Sequence, residues 1–403
     1  MKNIIYIILL FLLIFSCSEN SNTLSNTENI KEDNLVVNQN LSEELEIIWE
    51  AYEILSNEYI DKDNLKSEKL AEEAIRGMLN SLNDPYTSYV PPETFKIDQE
   101  SFMGHFGGIG ANVEASPDNN GILITKPLPN TPAEDAGIKA GDRIIRIDGE
   151  DSTKMTLNEA VNKIRGKKGT PVNLTIKRIG VENELDITII RDTIDTPSVD
   201  TYEVPETDFV RIIISQFTAT THDEIISIFE KYTSQNKNGF ILDLRGNPGG
   251  LLSSTVDVAS LFIDEGLITY EITSDGNREN WKVRKTEDYT NIPIVTLVDR
   301  YSASGSEVLA GALQDHNRSV IIGEKTFGKG SVNMMSSLSN EGGIYVTIGR
   351  WYTPDGRQIE GKGITPDVII ENTIVTNSNS YDENFIDLQL DAALTQLNYE
   401  INN

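Results

Sequence analysis

The carboxyl-terminal half of this sequence predicts an α/β fold with a largely parallel sheet covered by helices. The middle predicts a smaller domain of strands and short helices inserted before it. Two observations carry this reading. From about residue 209, apolar runs at 210–214, 240–244, 294–298, 320–323 and 344–352 read as strands. Helical patterns at 221–236, 251–262 and 304–315 separate them, and strands alternating with helices imply crossover units and parallel pairing. Between 101 and 192 the runs are shorter (111–115, 122–125, 143–147, 172–177 and 185–190), with helical pieces at 132–137 and 156–165 and a turn at Asp148-Gly149.

The N-terminus opens with Met1-Lys2-Asn3, an unbroken apolar run from 4 to 15, and then Ser16-Cys17. Such a run is shorter than the roughly 20 residues that span a bilayer; it fits the core of a secretory signal with Lys2 as its positive flank. Cys17 is the sole cysteine, so no internal disulfide forms and packing alone holds the exported body. A lone cysteine after a signal core and a small residue resembles the lipobox of bacterial lipoproteins. That resemblance implies cleavage before Cys17, its acylation, and a cell-envelope location with the membrane as lipid-anchored partner. Residues 1–17 are therefore expected to be a signal peptide, and 18–41, polar and Asn-rich, a flexible tether unable to bury enough apolar surface to fold.

A helical region is expected over 42–100. Ser42 is a plausible N-cap, and Leu45, Ile48, Trp49, Tyr52 and Leu55 recur at helical spacing. A second helix at 67–81 carries Leu70, Ala74, Ile75, Met78 and Leu79, and ends at Asn83-Asp84-Pro85. The pair reads as a cap or dimerisation element, with a homodimer as the corresponding assembly. The tail, 373–403, ends in a short amphipathic helix from Asp387. Net charge is −29, from 34 basic and 63 acidic residues. This excludes nucleic acid as a partner, since that binding rewards Lys and Arg with counterion release.

Three loops stand where the α/β pattern places strand ends, the usual position of active sites in such sheets. They are 245–250 (Arg-Gly-Asn-Pro-Gly-Gly), 301–307 (Tyr-Ser-Ala-Ser-Gly-Ser-Glu) and 326–333 (Thr-Phe-Gly-Lys-Gly-Ser-Val-Asn). A serine at a helix N-terminus sits beside unpaired backbone N–H groups, which can stabilise an acyl-transfer oxyanion. Gly249 or Gly250 is suited to supply another N–H at close approach. Lys329, flanked by glycines, becomes a base for a serine when desolvation removes its proton near neutral pH, a variant of triad logic. The bland readings are that Ser304 and Glu307 form a capping box and that Lys329 is a solvated turn residue. Local physics leaves Ser302, Ser304 and Ser306 open as nucleophiles. The loop lacks the P-loop pattern. His105, His222 and His316 are poor bases, because none falls in a strand-end loop with a serine. No metal-ligand spacing exists and no cofactor is expected.

The combination of runs is similar to the carboxyl-terminal processing proteases (tail-specific proteases, the S41 serine peptidases). Ser302–Asp315 and Gly323–Val332 carry the resemblance, with Arg245–Leu252 upstream and Tyr352–Asp367 downstream, over about 42–395. It implies a crotonase/ClpP-like protease core at 193–372, Ser304 as nucleophile, Lys329 as general base, and oxyanion donors at Gly250 and Gly305. The family's usual glutamine four residues after the base is Asn333 here, which then takes the part of orienting Lys329.

Residues 101–192 resemble a PDZ domain. Phe106, Gly107, Gly108, Ile109 and Gly110 match its carboxylate-binding loop and following strand, and 130–149 matches its signature. Glycines let consecutive N–H groups converge on a carboxylate, and a strand edge pairs with an extended peptide. Leu157, Val161 and Ile164 are candidates for the groove, and Arg165 for coupling peptide binding to the active site. The expected function is an endopeptidase that recognises protein C-terminal tails and cleaves near them. The alternatives are a non-catalytic PDZ scaffold for protein tails and a crotonase-type acyl-CoA enzyme, the latter disfavoured by the PDZ domain and export signal.

Overall fold

A computed structural model describes residues 43–116, 121–285, 287, 289–371, 374–375, 384–385 and 387–402. The expected signal peptide with Cys17, and the tether, lie outside the described residues. Helix α1 (Glu43–Glu58) follows the predicted apolar spacing, and Leu45, Ile48, Trp49 and Leu55 are exposed along it. Helix α2 (Ser67–Asn80) ends before a turn in which Asn83 adopts φ +52°. Strand β1 (Ser88–Val90), helix α3 (Pro92–Phe102) and strand β2 (His105–Gly108) lead into the inserted domain. Pro92 occupies the first turn of α3, where its missing N–H costs no helical bond.

The inserted domain is an antiparallel sheet of β3 (Ala111–Ala115), β4 (Ile122–Pro127), β5 (Arg143–Ile147), β6 (Glu150–Asp151), β7 (Pro171–Lys177) and β8 (Leu185–Ile190). Helices α4 (Pro132–Asp135) and α5 (Leu157–Ile164) complete it. Ile109, Ile122, Ile124, Ile144, Ile147, Val172, Leu174 and Ile176 form its own buried core. Thr156 and Glu159 cap α5 reciprocally: Glu159 accepts the Thr156 N–H at 2.7 Å and donates its own N–H to Thr156 Oγ1 at 3.3 Å. Strand β9 (Asp192–Asp195) pairs antiparallel with β2, so this two-stranded ribbon is the stem through which the chain enters and leaves the domain.

The larger part contains β10 (Val199–Glu203), β11 (Phe209–Ile214), α6 (Thr221–Ser234), β12 (Gly239–Asp243), α7 (Leu252–Ser260), β13 (Leu267–Thr273) and β14 (Arg278–Lys282). It continues with β15 (Ile294–Val298), α8 (Gly305–Asp315), β16 (Val320–Gly323), β17 (Ser331–Ser337), β18 (Gly343–Tyr352), β19 (Val368–Ile369) and α9 (Leu388–Asn402). The main sheet has the order β10-β11-β12-β15-β16-β19. It is parallel from β11 to β19, with β10 antiparallel at the edge. Every residue of β12 and β15 is buried, as expected of strands covered on both faces. One face packs Phe240 against Phe229, Val256, Phe262, Leu309 and Leu313. The other packs Ile241, Val295, Leu297 and Ile322 against Ala393 and Leu397 of α9.

A second sheet runs β1-β18-β13-β14, with β17 also paired to β18. Sequence reading finds only β18 of it. Strand β13 buries Thr269 and Glu271 where an apolar residue is expected, and β17 reads Ser-Val-Asn-Met-Met-Ser-Ser, with no clean alternation. Strand β1, from the segment ahead of the inserted domain, pairs antiparallel with β18, Tyr89 opposite Ile344.

Phe229 is fully buried, with its ring centroid 4.4 Å from Phe240, 5.6 Å from Phe262 and 4.7 Å from Tyr289. Phe229→Ala removes the side chain from all three contacts and leaves a cavity. We expect a loss of about 3–5 kcal/mol, the usual cost of a buried Phe→Ala change, measurable by denaturant unfolding; an unchanged midpoint would show that the sheet repacks around the gap.

Candidate active site

The three loops picked out by sequence converge beside the carboxyl ends of β12, β15 and β16. Their order begins with Asn247. Its Nδ2 donates to the Ile214 carbonyl at 2.8 Å, its Oδ1 accepts the Gly249 N–H at 2.8 Å, and its backbone oxygen accepts the Ala303 N–H and the Ser306 hydroxyl, each at 3.0 Å. One buried asparagine thus ties β11, the glycine loop and the serine turn together. A Cβ on Gly249 would lie 2.8 Å from Ser304 Cβ and from Gly305 N. Only glycine permits this approach, and Gly249 also has φ +104°.

The three candidate serines differ sharply. Ser302 is fully buried; its hydroxyl donates to the Leu244 carbonyl at 2.8 Å and accepts the Asp299 N–H at 2.9 Å. Ser306 is fully buried and bonded to Asn247. Ser304 is partly exposed and sits at the start of α8 with φ +53° and ψ −115°. A non-glycine residue there is strained, and such strain persists only where its surroundings over-determine it. Glu307 N–H bonds the Ser304 backbone carbonyl at 2.9 Å. Gly305 N–H stands at the first position of α8, where backbone donors lack an intrahelical acceptor. Gly250 is bridged to Phe217, whose carbonyl accepts the Leu251 N–H at 2.8 Å and whose N–H donates to Gly249 at 2.9 Å. Among the described residues neither the Gly250 nor the Gly305 N–H meets an acceptor.

Glu307 is the residue that sequence reading reduces to a cap. It is fully buried. Its Oε2 accepts the backbone N–H of Ser304 at 2.9 Å and of Lys329 at 2.8 Å. Its Oε1 accepts the Thr326 hydroxyl and the Gly328 N–H, each at 2.6 Å. Burial raises its carboxyl pKa above the ordinary value even though these four donors act to lower it; four donors and no acceptor match the ionised form. One carboxylate oxygen thus bonds the backbones of both proposed catalytic residues. The Ser-x-x-Glu spacing signals the cap but not the far loop that shares it.

Burial lowers the pKa of Lys329 below the ordinary 10.5, against the opposing charges of Glu360 and Glu307. Its amine lies 5.2 Å from the centroid of the Tyr86 ring, a neighbour that sequence reading does not name. Asn333 does not do what its position suggests. Its Oδ1 accepts the Ser331 hydroxyl at 3.0 Å, and its Nδ2 donates to the Tyr86 carbonyl at 2.9 Å and to Thr347 Oγ1 at 3.3 Å. None of these partners is Lys329. The physical reason is the irregularity in the β17–β18 register between Val332 and Asn333, beyond which Asn333 stands opposite Thr347. The three histidines lie elsewhere: His316 caps the far end of α8 and bonds the Leu267 carbonyl at 2.8 Å, His222 pairs with Asp223 at 2.8 Å, and His105 stands in β2 opposite Asp195. Among the described residues no group of three or more His, Cys, Asp or Glu is arranged to hold a metal ion.

In the inserted domain, Phe106, Gly108, Ile109 and Gly110 border a groove of about 420 Å³, closed opposite by Val161, Ile164 and Arg165 of the α5 side. Gly107 and Phe106 belong to β2, paired with Thr193 and Ile194 of β9. Strand β3 is an edge strand beside the groove. Leu157 packs on the domain core instead. Arg165 lies over the Phe106 ring at 4.0 Å and 3.9 Å from Glu100 of α3. Arg165 and Phe106 also border a second cavity of about 190 Å³, with Ser101, Pro197, Ser215 and Gln216.

Comparison with known proteins agrees with this architecture. The profile of Peptidase family S41 matches residues 209–370, that of the PDZ domain residues 101–177, and that of the activating protease CtpB N-terminal domain residues 9–94. A carboxy-terminal-processing protease of Bartonella bacilliformis is 40% identical over 85% of this chain and 79% of its own length. The carboxy-terminal processing protease CtpA of Bacillus subtilis is 39% identical over 80% of this chain and 68% of its own. A carboxyl-terminal-processing protease of Synechocystis is 33% identical, covering 83% of each. The chain is a PDZ-containing serine peptidase of the α/β class. It belongs to peptidase family S41.

The Glu307 arrangement makes a direct prediction. In Glu307→Gln one carboxylate oxygen becomes an NH₂ group facing two donors. Each buried donor left without an acceptor costs about 1–3 kcal/mol, and a misplaced Ser304 turn costs rate as well if the turn carries a reacting group. We expect a lower melting temperature and peptide hydrolysis reduced at least about tenfold. Wild-type stability and turnover in this variant would exclude the carboxylate as the clasp between the two loops.

Proposed function

We propose that this chain is a carboxyl-terminal processing endopeptidase that captures protein C-terminal tails in its PDZ groove and cleaves peptide bonds near them, with Ser304 as nucleophile and Lys329 as general base. The observation that carries the reading is the single Glu307 oxygen bonded to the backbone of both residues. The strained Ser304 and the unpaired Gly250 and Gly305 amides support it. As Ser304 Oγ attacks the scissile carbonyl carbon, neutral Lys329 takes its proton. The carbonyl oxygen becomes an oxyanion held by the Gly250 and Gly305 N–H groups. The C–N bond then breaks, and the Lys329 ammonium protonates the leaving amine. Water, deprotonated by Lys329, attacks the acyl-serine ester; Ser304 leaves, recovers the proton, and the new carboxyl terminus is released.

Tail recognition rests on the edge strand β3 and the glycine-lined groove. These suit an extended peptide ending in a carboxylate. Arg165 borders both this groove and the cavity leading to Gln216, next to Phe217, which bridges Gly250. That continuity supports Arg165 as the residue through which an occupied groove influences the oxyanion loop. The exposed apolar stripe of α1 supports the homodimer expected from sequence.

Ser304→Ala and Lys329→Ala are each expected to abolish peptide hydrolysis, since the two work as one proton-transfer unit, while the melting temperature stays within a few degrees. Only the neutral amine is a base, so kcat/KM rises with pH through the Lys329 pKa. Because burial lowers that pKa, the rising limb lies below the ordinary lysine value of 10.5. Activity in Lys329→Ala at neutral pH would overturn the assignment. Failure of a serine-directed probe to label the wild type would favour the non-catalytic scaffold.

We also propose attachment to the cell envelope through a lipid on Cys17 after cleavage of the signal. Cys17→Ser is then expected to move the protein from the membrane fraction to the soluble fraction; a variant retained on membranes through an uncleaved apolar segment would refute the lipid anchor.

A further inference from the structure

Tyr86 belongs to the turn between α2 and β1, far in sequence from both catalytic loops, yet its ring lies beneath the Lys329 amine at 5.2 Å. That is within the roughly 6 Å over which a ring face attracts a cation. The turn is fixed from several sides. Asp84 Oδ1 accepts the Tyr86 N–H at 3.0 Å, and Asp84 Oδ2 accepts the Thr87 hydroxyl at 2.7 Å. Thr87 Oγ1 accepts the Thr347 N–H at 3.1 Å. The Tyr86 carbonyl accepts from Asn333 Nδ2 at 2.9 Å. Both flanks of the Tyr86 backbone are therefore held, one by its own Asp-Pro turn and the other by β17.

We propose that Tyr86 is a positioning residue for Lys329, and that Asn333 acts on the base through Tyr86 rather than by touching it. This rests on the Ser304–Lys329 reading. The lysine stem has four flexible methylenes, and the amine must face Ser304 at the moment of proton transfer. A ring face attracts the ammonium more than the neutral amine, so its pull grows as the proton arrives on Lys329. It also covers the amine on one side. The charged and titratable groups around this pair are Glu307 from α8 and Glu360 from the turn after β18, both acting on Lys329 and on Tyr86, with Asp84 and Arg350 acting on Tyr86. Glu360 belongs to a segment packed tightly on the base loop: a Cβ on Gly330 would fall 2.1 Å from Glu360 N.

The test uses the whole chain and one peptide substrate, with kcat and KM followed across pH for Tyr86→Leu, Tyr86→Phe, Asn333→Ala and the Tyr86→Leu/Asn333→Ala double variant. Leucine keeps an apolar cover but lacks the ring face. Losing attraction for the ammonium lowers the Lys329 pKa, so the rising limb of kcat/KM should move to lower pH by about half a unit, with kcat down about tenfold and KM within about twofold. Tyr86→Phe, which keeps the ring, should restore most of the lost turnover. Asn333→Ala should move both quantities the same way, and the double variant should be no worse than the poorer single one, the mark of a shared path. A Tyr86→Leu enzyme with unchanged kcat and limb overturns the proposal. So does one whose rate falls equally at every pH, since a purely structural role does that. Should Tyr86→Leu not fold, Asn333→Ala decides: wild-type kcat and an unmoved limb overturn the proposal. Activity surviving in Lys329→Ala refutes the Ser–Lys reading instead, so the two failures are distinguishable.

Discussion

The site depends on one buried carboxylate. Glu307 has no exposed surface, and an ionised group so placed is tolerated only if every lone pair is matched. Four donors do this: two backbone amides of the Lys329 loop, one of the serine turn and the Thr326 hydroxyl. Its place in the first turn of α8 adds the favourable end of the helix dipole. The clasp extends further. Thr326 Oγ1, having donated to Glu307, accepts the Ile364 N–H at 2.7 Å, and the Thr326 N–H bonds the Ile364 carbonyl at 3.1 Å. Gly328 accepts the Gly361 N–H at 2.9 Å, and Gly330 accepts the Trp351 N–H at 2.7 Å. The end of β18 and the segment after it are thereby a cradle for the Lys329 loop, and that loop is in turn fixed to the Ser304 turn by Glu307.

The glycine loop has its own anchor. Arg245, at its start, makes paired bonds with Asp387 at 2.7 and 2.9 Å, bonds Asp243 through Nε at 2.9 Å and through Nη2 at 2.7 Å, and reaches Gln389 at 3.0 Å. Asp243 in turn accepts from Arg211 Nε at 2.7 Å. Burial acts to lower the Arg245 pKa, but its carboxylate partners outweigh it and raise the value; the same pairing draws Asp387 down. Planar bidentate pairing fixes direction as well as distance. The residues opening α9 thus hold the loop that carries Gly249 and Gly250, although they follow it by more than a hundred positions.

This explains which parts of the molecule are legible in the sequence. The parallel sheet is legible because β11, β12, β15 and β16 are apolar runs framed by helical patterns, and the inserted domain because its strands and turns are regularly spaced. The elements that escape are those whose burial is polar or whose pairing is distant: β13 with Glu271 inward, β17 with its serines, and the short β1 that pairs with β18 across the whole inserted domain. The site follows the same division. Ser304, Lys329 and the loop glycines stand in local patterns that chemistry recognises. Among the serines, however, it is the burial and hydroxyl bonds of Ser302 and Ser306, and the partial exposure and backbone strain of Ser304, that set Ser304 apart. Tyr86 is invisible locally, since an Asp-Pro-Tyr turn does not announce a ring under a lysine. Asn333 is in register as a sequence feature, but the irregularity beside it in β17 turns its amide toward Tyr86.

At Lys329 opposing effects of similar kind compete, and their balance bears directly on its proposed role as a base. Burial disfavours the ammonium; two carboxylates favour it. A direct pair with either would hold the proton on the amine through neutral pH, since an opposite charge within about 4–6 Å commonly shifts a pKa by a unit or more. Here both act on the Lys329 amine through charge, with no hydrogen bond to the amine among the causes of its shift. Glu307 has its lone pairs occupied by backbone and hydroxyl donors, so the group nearest in the network is the least available as a counterion. Among the described residues the buried Glu360 Oε2 meets no hydrogen-bond partner, and Glu360 acts on Lys329 through charge, favouring the ammonium. Burial therefore outweighs the two charges and lowers the Lys329 pKa; in the Ser304–Lys329 proposal, those charges and the Tyr86 face ease the arrival of the proton from Ser304. Under the Ser304–Lys329 proposal, this lowering moves Lys329 in the direction that general base catalysis near neutral pH demands.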